Sequence, residues 1–266
     1  MAELAGRKWV NGLKPGLRVV VSAGASGIGR AITDMLIEHG ARVHICDISE
    51  PLLADFRKAH PQHGTTTADV SRESDVDRFF AEAAKSLGGL DALINNAGIA
   101  GPTAAVEQIE PDDWRRCIDI DLNGQFLCTR KAVPMLKAAG GGAIVNMSSA
   151  AGRHGYAFRT PYAAAKFGVI GFTQSLAKEL GPDNIRVNAI LPGIVEGPRI
   201  EGVIKARAGQ LGVTYQAMEK QYLEKVSLRR MVSPHDVAAM VLFLLSPLGE
   251  NISGQSLGVD GNVETL

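Results

Sequence analysis

The stretch that decides the fold is residues 17–47, LRVVVSAGASGIGRAITDMLIEHGARVHICD. It opens with the β-branched run Leu17–Ser22, which is typical of a strand buried on both faces of a parallel sheet. Ile28–His39 follows with apolar residues at helical spacing, and Gly40 marks its end. A second β-branched run, Arg42–Asp47, completes the unit. This order predicts two parallel strands joined by a crossover helix.

The same alternation continues along the rest of the chain. Further strands are predicted at Thr65–Asp69, Ala92–Asn95, Ala143–Met147, Ile185–Leu191 and Gln255–Val259. Helical patterns lie between them at Asp75–Leu87, Trp114–Ala139, Pro161–Leu180, Ile200–Val226 (interrupted near Gly209–Gly212) and Val237–Leu245. Seven strands in this order predict an α/β fold of the Rossmann type, a doubly wound parallel sheet with helices on both faces. No linker divides the pattern, so residues 1–266 are expected to form one domain.

Composition narrows the class of function. The 266 residues carry 28 basic and 28 acidic side chains, which argues against an extended surface for nucleic acid. No stretch is apolar for long enough to span a membrane, and residues 1–16 lack the apolar core of a secretory leader. The three cysteines are odd in number and form no CxxC pair, so we expect a cytoplasmic protein with buried thiols and no metal site.

Residues 22–29, SAGASGIG, lie between the first strand and the first helix. Glycines at such a turn let the backbone approach a pyrophosphate closely, and the phosphate then meets free N–H groups at the helix N-terminus. A glycine-rich turn is weak evidence alone, because many strand–helix turns contain two glycines. The loop therefore makes a dinucleotide site a hypothesis that needs support from a second residue.

Asp47 supplies that support at the end of the second strand, 18 residues after Gly29. A carboxylate there can accept a hydrogen bond from a ribose 2′-hydroxyl and would repel a 2′-phosphate. Arg42 begins the same strand and is too far back to bind that phosphate. We therefore expect NAD rather than NADP, although Asp47 would also serve as an ordinary turn-capping residue.

From residue 17 to residue 261 the chain resembles the short-chain dehydrogenase/reductase family. The resemblance rests on eight segments in a fixed order: Ser22–Gly29, Asp47, Asp69-Val70, Asn95–Gly98, Asn123, Ser149, Tyr162–Lys166 (YAAAK) and Pro192-Gly193. The family fold is a single doubly wound sheet of seven parallel strands, which agrees with the strand count. The resemblance implies an oxidoreductase that moves a hydride between a nicotinamide cofactor and a secondary alcohol or ketone.

The resemblance also implies a cofactor site. Asp69 would bond to the adenine ring and Val70 would pack beside it, while residues 95–98 would stabilise the central strand and admit the ribose. The residues expected to bind cofactor are Ser22, Gly24, Ser26, Gly27, Ile28, Gly29, Asp47, Ile48, Asp69, Val70, Asn96, Ala97, Gly98, Tyr162, Lys166, Pro192, Gly193 and Val195.

Four residues are expected to be catalytic. By resemblance, Tyr162 is the acid/base, Lys166 binds the nicotinamide ribose and tunes Tyr162, and Ser149 bonds to the substrate oxygen. Asn123 would hold the active-site helix open and anchor a water in a proton relay. We select Ser149 over Ser148 because it precedes Tyr162 by the 13 residues that the family uses.

The spacing of Tyr162 and Lys166 suits this chemistry. Residues four apart in a helix share one face. An unperturbed tyrosine, with a pKa of about 10, is a poor base at neutral pH. A nearby ammonium and an oxidised nicotinamide both favour the phenolate. An isolated pair of this kind is weak evidence of catalysis, because such pairs are common on surface helices. Ser149, 13 residues before Tyr162, makes the catalytic interpretation the stronger one.

The sequence departs from the family pattern at two positions. The family loop usually opens Thr-Gly, whereas this one opens with Ser22 and Ala23. A threonine commonly follows Pro-Gly by four residues and contacts the carboxamide, whereas this chain has Gly197 there. Carboxamide recognition is therefore expected to use backbone groups near Ile194 and Val195.

The substrate is less well determined. Arg153, Arg159 and Arg199 flank the expected reacting centre and could bind a substrate carboxylate, as in a sugar acid or another hydroxy acid. Equally, these arginines could be solvated or paired with Glu196, Glu201 or a neighbouring subunit. Residues 194–230 correspond to the variable substrate lid, so a 3-oxoacyl thioester, a steroid-like alcohol or a neutral sugar stays open.

The residue set and the chain length bear on two further classes of function. A non-catalytic NAD(H)-sensing regulator needs no acid/base tyrosine, so the complete residue set argues against it. A sugar-nucleotide epimerase needs more chain after Pro192 than is present. Family resemblance also implies a homo-oligomer, a tetramer or a dimer, built on helices 123–139 and 161–180 and the last strand.

Overall fold

The computed structural model describes residues 12–263, so predictions about the chain termini outside that range have no structural counterpart. Seven strands form one sheet: β1 (Arg18–Ser22), β2 (Arg42–Asp47), β3 (Gly64–Thr67), β4 (Ala92–Asn95), β5 (Gly142–Met147), β6 (Ile185–Pro192) and β7 (Ser256–Val259). Every neighbouring pair is parallel, and the order is β3-β2-β1-β4-β5-β6-β7. The predicted Rossmann-type fold is confirmed.

Helices cover both faces of this sheet. They are α1 (Gly27–Glu38), α2 (Glu50–Ala59), α3 (Glu73–Leu87), α4 (Pro111–Ile118), α5 (Gly124–Ala138), α6 (Thr160–Leu180), α7 (Pro198–Leu211), α8 (Tyr215–Glu224) and α9 (Pro234–Leu245). Val19 and Val21 of β1 pack in one core with α1, α2 and α9, whereas Val20 packs in the other with α3, α5 and α6. Alternate side chains of a strand face opposite sides, so a strand covered on both sides is apolar throughout.

The order of the strands places a crevice at the end of β1. Val21 of β1 pairs with Ile45 of β2 on one side and with Ile94 of β4 on the other. The chain winds outward from β1 in both directions, so the loops after β1 and β4 diverge to opposite faces. In sheets of this kind ligands bind at that reversal, beyond the carboxyl ends of the strands.

The structure refines three of the predicted segments. Trp114–Ala139, expected as one long or two abutting helices, is α4 and α5 joined by a wide π-helical turn, Asp119–Asn123. The predicted interruption of Ile200–Val226 near Gly209–Gly212 is confirmed at Gly212, which follows α7 and whose φ of 67° is left-handed. β3 ends at Thr67, so Asp69 lies in the following turn.

α7 and α8 form a separate layer over the carboxyl edge of the sheet. Ile204 and Ala208 of α7 pack against Met218 and Tyr222 of α8, and this small cluster rests on Ala150. Within residues 12–263, no helix combines the length and apolarity that crossing a membrane requires. The thiols of Cys46, Cys117 and Cys128 are free and buried.

Candidate active site

The loop between β1 and α1 forms one wall of a cleft at the carboxyl edge. Gly29 must lack a side chain, because a Cβ there would collide with the carbonyl oxygen of Ala23. Gly24 is similarly confined, since its Cβ would lie 2.7 Å from Ile45. Gly27, by contrast, has a φ of 53° and open space around it. The loop therefore presents bare backbone to the cleft, with the N-terminus of α1 behind it, as a pyrophosphate requires.

Ala23 itself adopts an unusual backbone conformation. Its φ is 49°, a left-handed value that alanine rarely adopts. The Asn96 side chain holds this turn by donating to the carbonyl oxygens of Ser22 and Ala23, at 3.2 and 3.0 Å. The Ser22 hydroxyl in turn accepts from the backbone N–H groups of Asn96 and Ala97, each at 3.0 Å. Ser22 is buried and therefore braces the loop from beneath, without lining the cleft.

Asp47 stands at the carboxyl end of β2 with one carboxylate oxygen accepting from the Ser49 N–H at 3.1 Å. Within the described part of the chain, no cation forms an ion pair with Asp47. Arg42, at the opposite end of β2, is occupied by the carbonyl oxygens of Ser86 and Leu87. The chemistry of this end of β2 fits a ribose diol better than a phosphate.

The residues expected around the adenine follow β2 and β3. The Ile48 side chain is 69% exposed and stands next to Asp47. Asp69 accepts from the Ser71 N–H at 3.0 Å and from its hydroxyl at 2.7 Å. Val70 is buried against Gly124, where a Cβ would lie 2.8 Å from the valine side chain. Together with the backbone N–H groups of the loop, this edge offers carboxylate acceptors and an apolar side chain, the groups that a dinucleotide site uses.

Opposite the loop, α6 carries Tyr162 and Lys166, two of the residues expected to be catalytic. Tyr162 and Lys166 lie on one face of α6, with the Lys166 ammonium 5.6 Å from the centre of the Tyr162 ring. Lys166 is only 4% exposed and donates to the Met147 carbonyl oxygen at 3.1 Å. The guanidinium of Arg159 stacks 4.2 Å from the same ring. Tyr162 thus stands beside two cationic side chains.

The two serines after β5 have different places. Ser149 lines the cleft, and its hydroxyl oxygen accepts from the Ala151 N–H at 3.1 Å. Ser148 also borders the cleft, but it is only 4% exposed and its hydroxyl donates to the Lys166 carbonyl oxygen at 2.8 Å. Ser148 therefore ties the β5 end to α6, while the hydroxyl of Ser149 is the one that can reach a substrate.

Asn123 does not lie in the site. Its side chain is on the exposed side of the wide turn and donates to Asp119 at 2.8 Å. The residue that this turn brings to Lys166 is Asp121, fully buried with a carboxylate oxygen 3.9 Å from the ammonium. Helical spacing accounts for this placement, because positions 117, 121, 125 and 128 are buried together and position 123 points away.

The three arginines expected near the substrate lie in different surroundings. Arg153 is exposed and donates to the Ser256 carbonyl oxygen at 3.0 Å, outside the cleft lining. Arg159 is buried in the cleft wall and donates to the Ala100 carbonyl oxygen. Arg199 is exposed at the start of α7 and donates to the Gly98 carbonyl oxygen at 2.6 Å. Two cations therefore remain on the substrate side.

The segment after β6 closes the cleft from the far side. Gly193 approaches Asp260 so closely that a Cβ would lie 2.7 Å away. Ile194 and Glu196 use backbone groups to pair with Val232, whereas the N–H and carbonyl of Val195 bond to nothing among residues 12–263. Gly197 has a φ of 126°, which explains why threonine is absent there.

Further residues line the cleft beside those expected to bind cofactor or substrate. The hydroxyls of Tyr156 and Tyr222 lie 2.6 Å apart, and Glu196 lines the same space. Their proximity does not follow from the local sequence, because only the packing of α8 brings position 222 to position 156. The cleft encloses about 370 Å³, within the usual range of ligand sites. Among residues 12–263, no group of three or more histidine, cysteine and acidic side chains is placed to hold a metal.

Comparison with known proteins agrees with this geometry. Residues 22–263 match the family model described as enoyl-(acyl carrier protein) reductase. The chain is 37% identical to cis-4-hydroxycyclohexanecarboxylate dehydrogenase of Sinomonas cyclohexanicum, over 91% of this chain and 94% of that protein. It is 36% identical to the 3-oxoacyl-[acyl-carrier-protein] reductase FabG of Thermotoga maritima, over 92% and 96%.

A solved structure leads to the same family. NAD+-bound xylitol dehydrogenase superposes with a TM-score of 0.89 at 27% identity, covering 93% of this chain and 99% of that one. The chain belongs to the short-chain dehydrogenase/reductase family and is an oxidoreductase.

Proposed function

We propose that this enzyme is an NAD-dependent dehydrogenase of a secondary alcohol that carries a carboxylate, with Tyr162 as acid/base. The observation that carries the proposal is the shared cleft. Tyr162, Lys166 and Ser149 line it together with the loop after β1 and with Arg159 and Arg199. A hydroxy-acid substrate would thus meet acid/base, donor and cation groups in one space.

The chemistry follows from the positions of these side chains. A bound nicotinamide cofactor supplies the hydride acceptor for oxidation. Tyr162 takes the hydroxyl proton of the alcohol, and the Lys166 ammonium favours the phenolate form of Tyr162. Ser149 donates a hydrogen bond to the oxygen that becomes the carbonyl. Lys166 is held in place by the Met147 carbonyl oxygen, so its ammonium does not need to be ordered during the reaction.

The choice of NAD rests on Asp47. Its free carboxylate oxygen is available to a ribose hydroxyl, and the nearest candidate cation on the same strand, Arg42, is engaged elsewhere. A 2′-phosphate would meet uncompensated negative charge. We therefore expect turnover with NAD to exceed turnover with NADP by at least about tenfold, the factor that 1.4 kcal/mol produces.

The carboxylate on the substrate is supported by Arg159 and Arg199. Arg199 is exposed at the cleft mouth, where its remaining donors can form a charge-assisted pair with a substrate carboxylate. The Sinomonas relative is named for a hydroxy acid of this kind. A 3-oxoacyl thioester is the second candidate, favoured by the Thermotoga relative, and would be used in the reductive direction.

We also propose that the whole chain acts as one domain, with 194–230 as the substrate lid, and that it works as a cytoplasmic homo-oligomer. Phe126 of α5 and Phe167 of α6 are 49% and 47% exposed, which supports association through those helices. Three free thiols support a reducing compartment.

The test is NADH formation on mixing the enzyme with NAD or NADP and a panel of alcohols. The panel contains cyclic and sugar-derived hydroxy acids, their neutral amides or alcohols, and 3-hydroxyacyl thioesters. Preference for NAD and for the free acids over the matched amides supports the proposal. Equal rates with acids and amides would remove the role of the arginines, and turnover with NADP alone would remove the role of Asp47.

A further inference from the structure

A buried carboxylate, Asp121, lies behind the reacting residues and has no part in the proposed proton transfer. It sits in the wide turn between α4 and α5 and is 0% exposed. One oxygen accepts from the Ile99 N–H at 2.6 Å, and the other lies 3.9 Å from the Lys166 ammonium. Gly98 permits this approach, because a Cβ at residue 98 would lie 3.0 Å from Asp121 and 3.3 Å from Lys166.

The surroundings of Asp121 are predominantly cationic. Burial, the largest influence, raises the pKa of Asp121 above its ordinary value, while Lys166 of α6, Arg199 of α7 and Arg159 just before α6 act to lower it. On α4, the Cys117 thiol lies 4.0 Å from Asp121, and its own pKa is raised to about 12, so it is neutral. Asp121 is thus the buried acidic group that these cationic side chains surround.

Lys166 is held between two acceptors, the Met147 carbonyl oxygen at 3.1 Å and the Asp121 carboxylate. A buried ammonium needs such partners, because an uncompensated charge in the interior is strongly disfavoured. The same ammonium faces the Tyr162 ring, beside Arg159. Anything that changes the net charge at Lys166 therefore changes the field at Tyr162.

We propose that Asp121 is a positioning residue whose charge offsets that of Lys166 and so sets the pH range in which Tyr162 can act as a base. The inference rests on the proposed acid/base role of Tyr162. In this arrangement Tyr162 experiences Arg159, the Lys166–Asp121 pair and, across the cleft, Glu196. Removing only the negative charge of Asp121 leaves Lys166 unopposed, which favours the phenolate.

Asp121→Asn separates charge from shape. An asparagine oxygen can still accept from the Ile99 N–H, so the wide turn keeps its anchor while the charge is lost. The matched control is Asp119→Asn, in the same turn but on its outer side, where the carboxylate contacts only Asn123 among the described residues. Both variants remove one negative charge, and only one of them removes it beside Lys166.

The measurement is a near-ultraviolet absorbance titration of the ligand-free protein. Tyr162→Phe is subtracted in each background, so that only the Tyr162 phenolate is counted among the four tyrosines. We expect its midpoint to fall by about 0.5–1 pH unit in Asp121→Asn, as expected for loss of one nearby unit charge, and to stay in Asp119→Asn. The pH at which alcohol oxidation reaches half its maximal rate should fall by the same amount.

An unchanged or higher midpoint in Asp121→Asn would overturn the inference, as would an equal shift in Asp119→Asn. Folding is checked by circular dichroism, and Asp121→Ser, smaller and also neutral, takes the place of Asp121→Asn if that chain does not fold. The proposed function fails separately, through full activity of Tyr162→Phe, because the absorbance titration needs neither cofactor nor substrate.

Discussion

The two walls of the cleft differ in how their residues are held. On the cofactor wall, formed by residues 22–29, 47 and 95–98, each turn is braced by a named contact, such as the bonds from Asn96 to the loop after β1. The proposed lid, residues 194–230, is packed less completely. Leu211 and Val213 are 49% and 38% exposed, and α7 and α8 are joined by one small apolar cluster. A rigid wall suits a constant cofactor, whereas a loosely packed wall can vary with substrate.

Gly29→Ala should impair both cofactor binding and folding, because the new Cβ would collide with the Ala23 carbonyl in the braced wall. We expect NADH affinity to fall at least tenfold and the melting temperature to drop, as overpacking costs about 1–3 kcal/mol. Fluorescence titration with NADH and thermal unfolding measure the two effects. Gly202→Ala, on the lid, is the matched control, since its Cβ meets nothing within 4 Å. Equal effects from both variants would contradict the contrast between the walls.

The stability of the folded chain should also depend on pH through His44 of β2, the strand that ends at Asp47. This ring is buried between Ser86 and Thr66, and burial lowers its pKa from 6.5 to about 4. The unfolded chain takes up a proton between pH 6.5 and 4 while the folded chain does not, so stability should fall as pH falls through that window. The full loss is about 3 kcal/mol.

Urea unfolding at pH 7 and at pH 4 measures this loss in the wild-type chain and in His44→Gln. The variant should lose less stability than wild type over the same interval, because glutamine does not titrate. His39→Gln, at the exposed end of α1, should behave like wild type. An identical pH dependence in His44→Gln and wild type would exclude His44 as the source.

Arg199→Gln tests the lid side of the comparison. Loss of a charge-assisted bond to a substrate carboxylate costs about 1.5–3 kcal/mol, so kcat/KM for a hydroxy acid should fall by roughly 10- to 150-fold. The rate with a matched neutral alcohol should change little. Arg153→Gln is the control, because Arg153 bonds to the Ser256 carbonyl outside the cleft. A uniform loss with acid and neutral substrates would show that Arg199 acts on the lid fold and not on the substrate.

The smallest effect is expected from Ala23→Gly. Glycine relieves the left-handed backbone of residue 23, worth about 1–2 kcal/mol, but also gains freedom in the unfolded chain. The net gain in the free energy of unfolding should stay below about 1 kcal/mol. Ala25→Gly, in the same loop but with ordinary φ, should be destabilising. A loss of stability in Ala23→Gly would mean that the backbone at this turn is not strained.

Local sequence predicted the strands and the glycine-rich turn of the cofactor wall, because their determinants are short-range. The β-branched run of β1, the glycines after it and Asp47 at the end of β2 all act within one strand–helix–strand unit. The departure at Gly197 is explained the same way, by one backbone angle of 126°. Such features follow from the conformational limits of single residues.

The side of the cleft that carries Tyr162 depends more on tertiary packing. The family resemblance assigned a catalytic role to Asn123, whereas in this turn Cys117 and Asp121 are buried and Asn123 is exposed. Arg153 and Arg159 are six residues apart in one loop, yet only Arg159 turns inward to stack on Tyr162. The direction of a loop side chain depends on tertiary packing, which local sequence does not specify.

The most direct test of the account is the activity of Tyr162→Phe. Removing the hydroxyl should lower kcat with NAD and a hydroxy acid by about 10²- to 10⁴-fold, the usual contribution of a positioned acid/base, while NADH still binds with wild-type affinity. Tyr215→Phe, which removes a hydroxyl bonded to Glu219 on the lid, should keep near wild-type activity. Wild-type kcat in Tyr162→Phe would contradict the assignment of Tyr162 as the base.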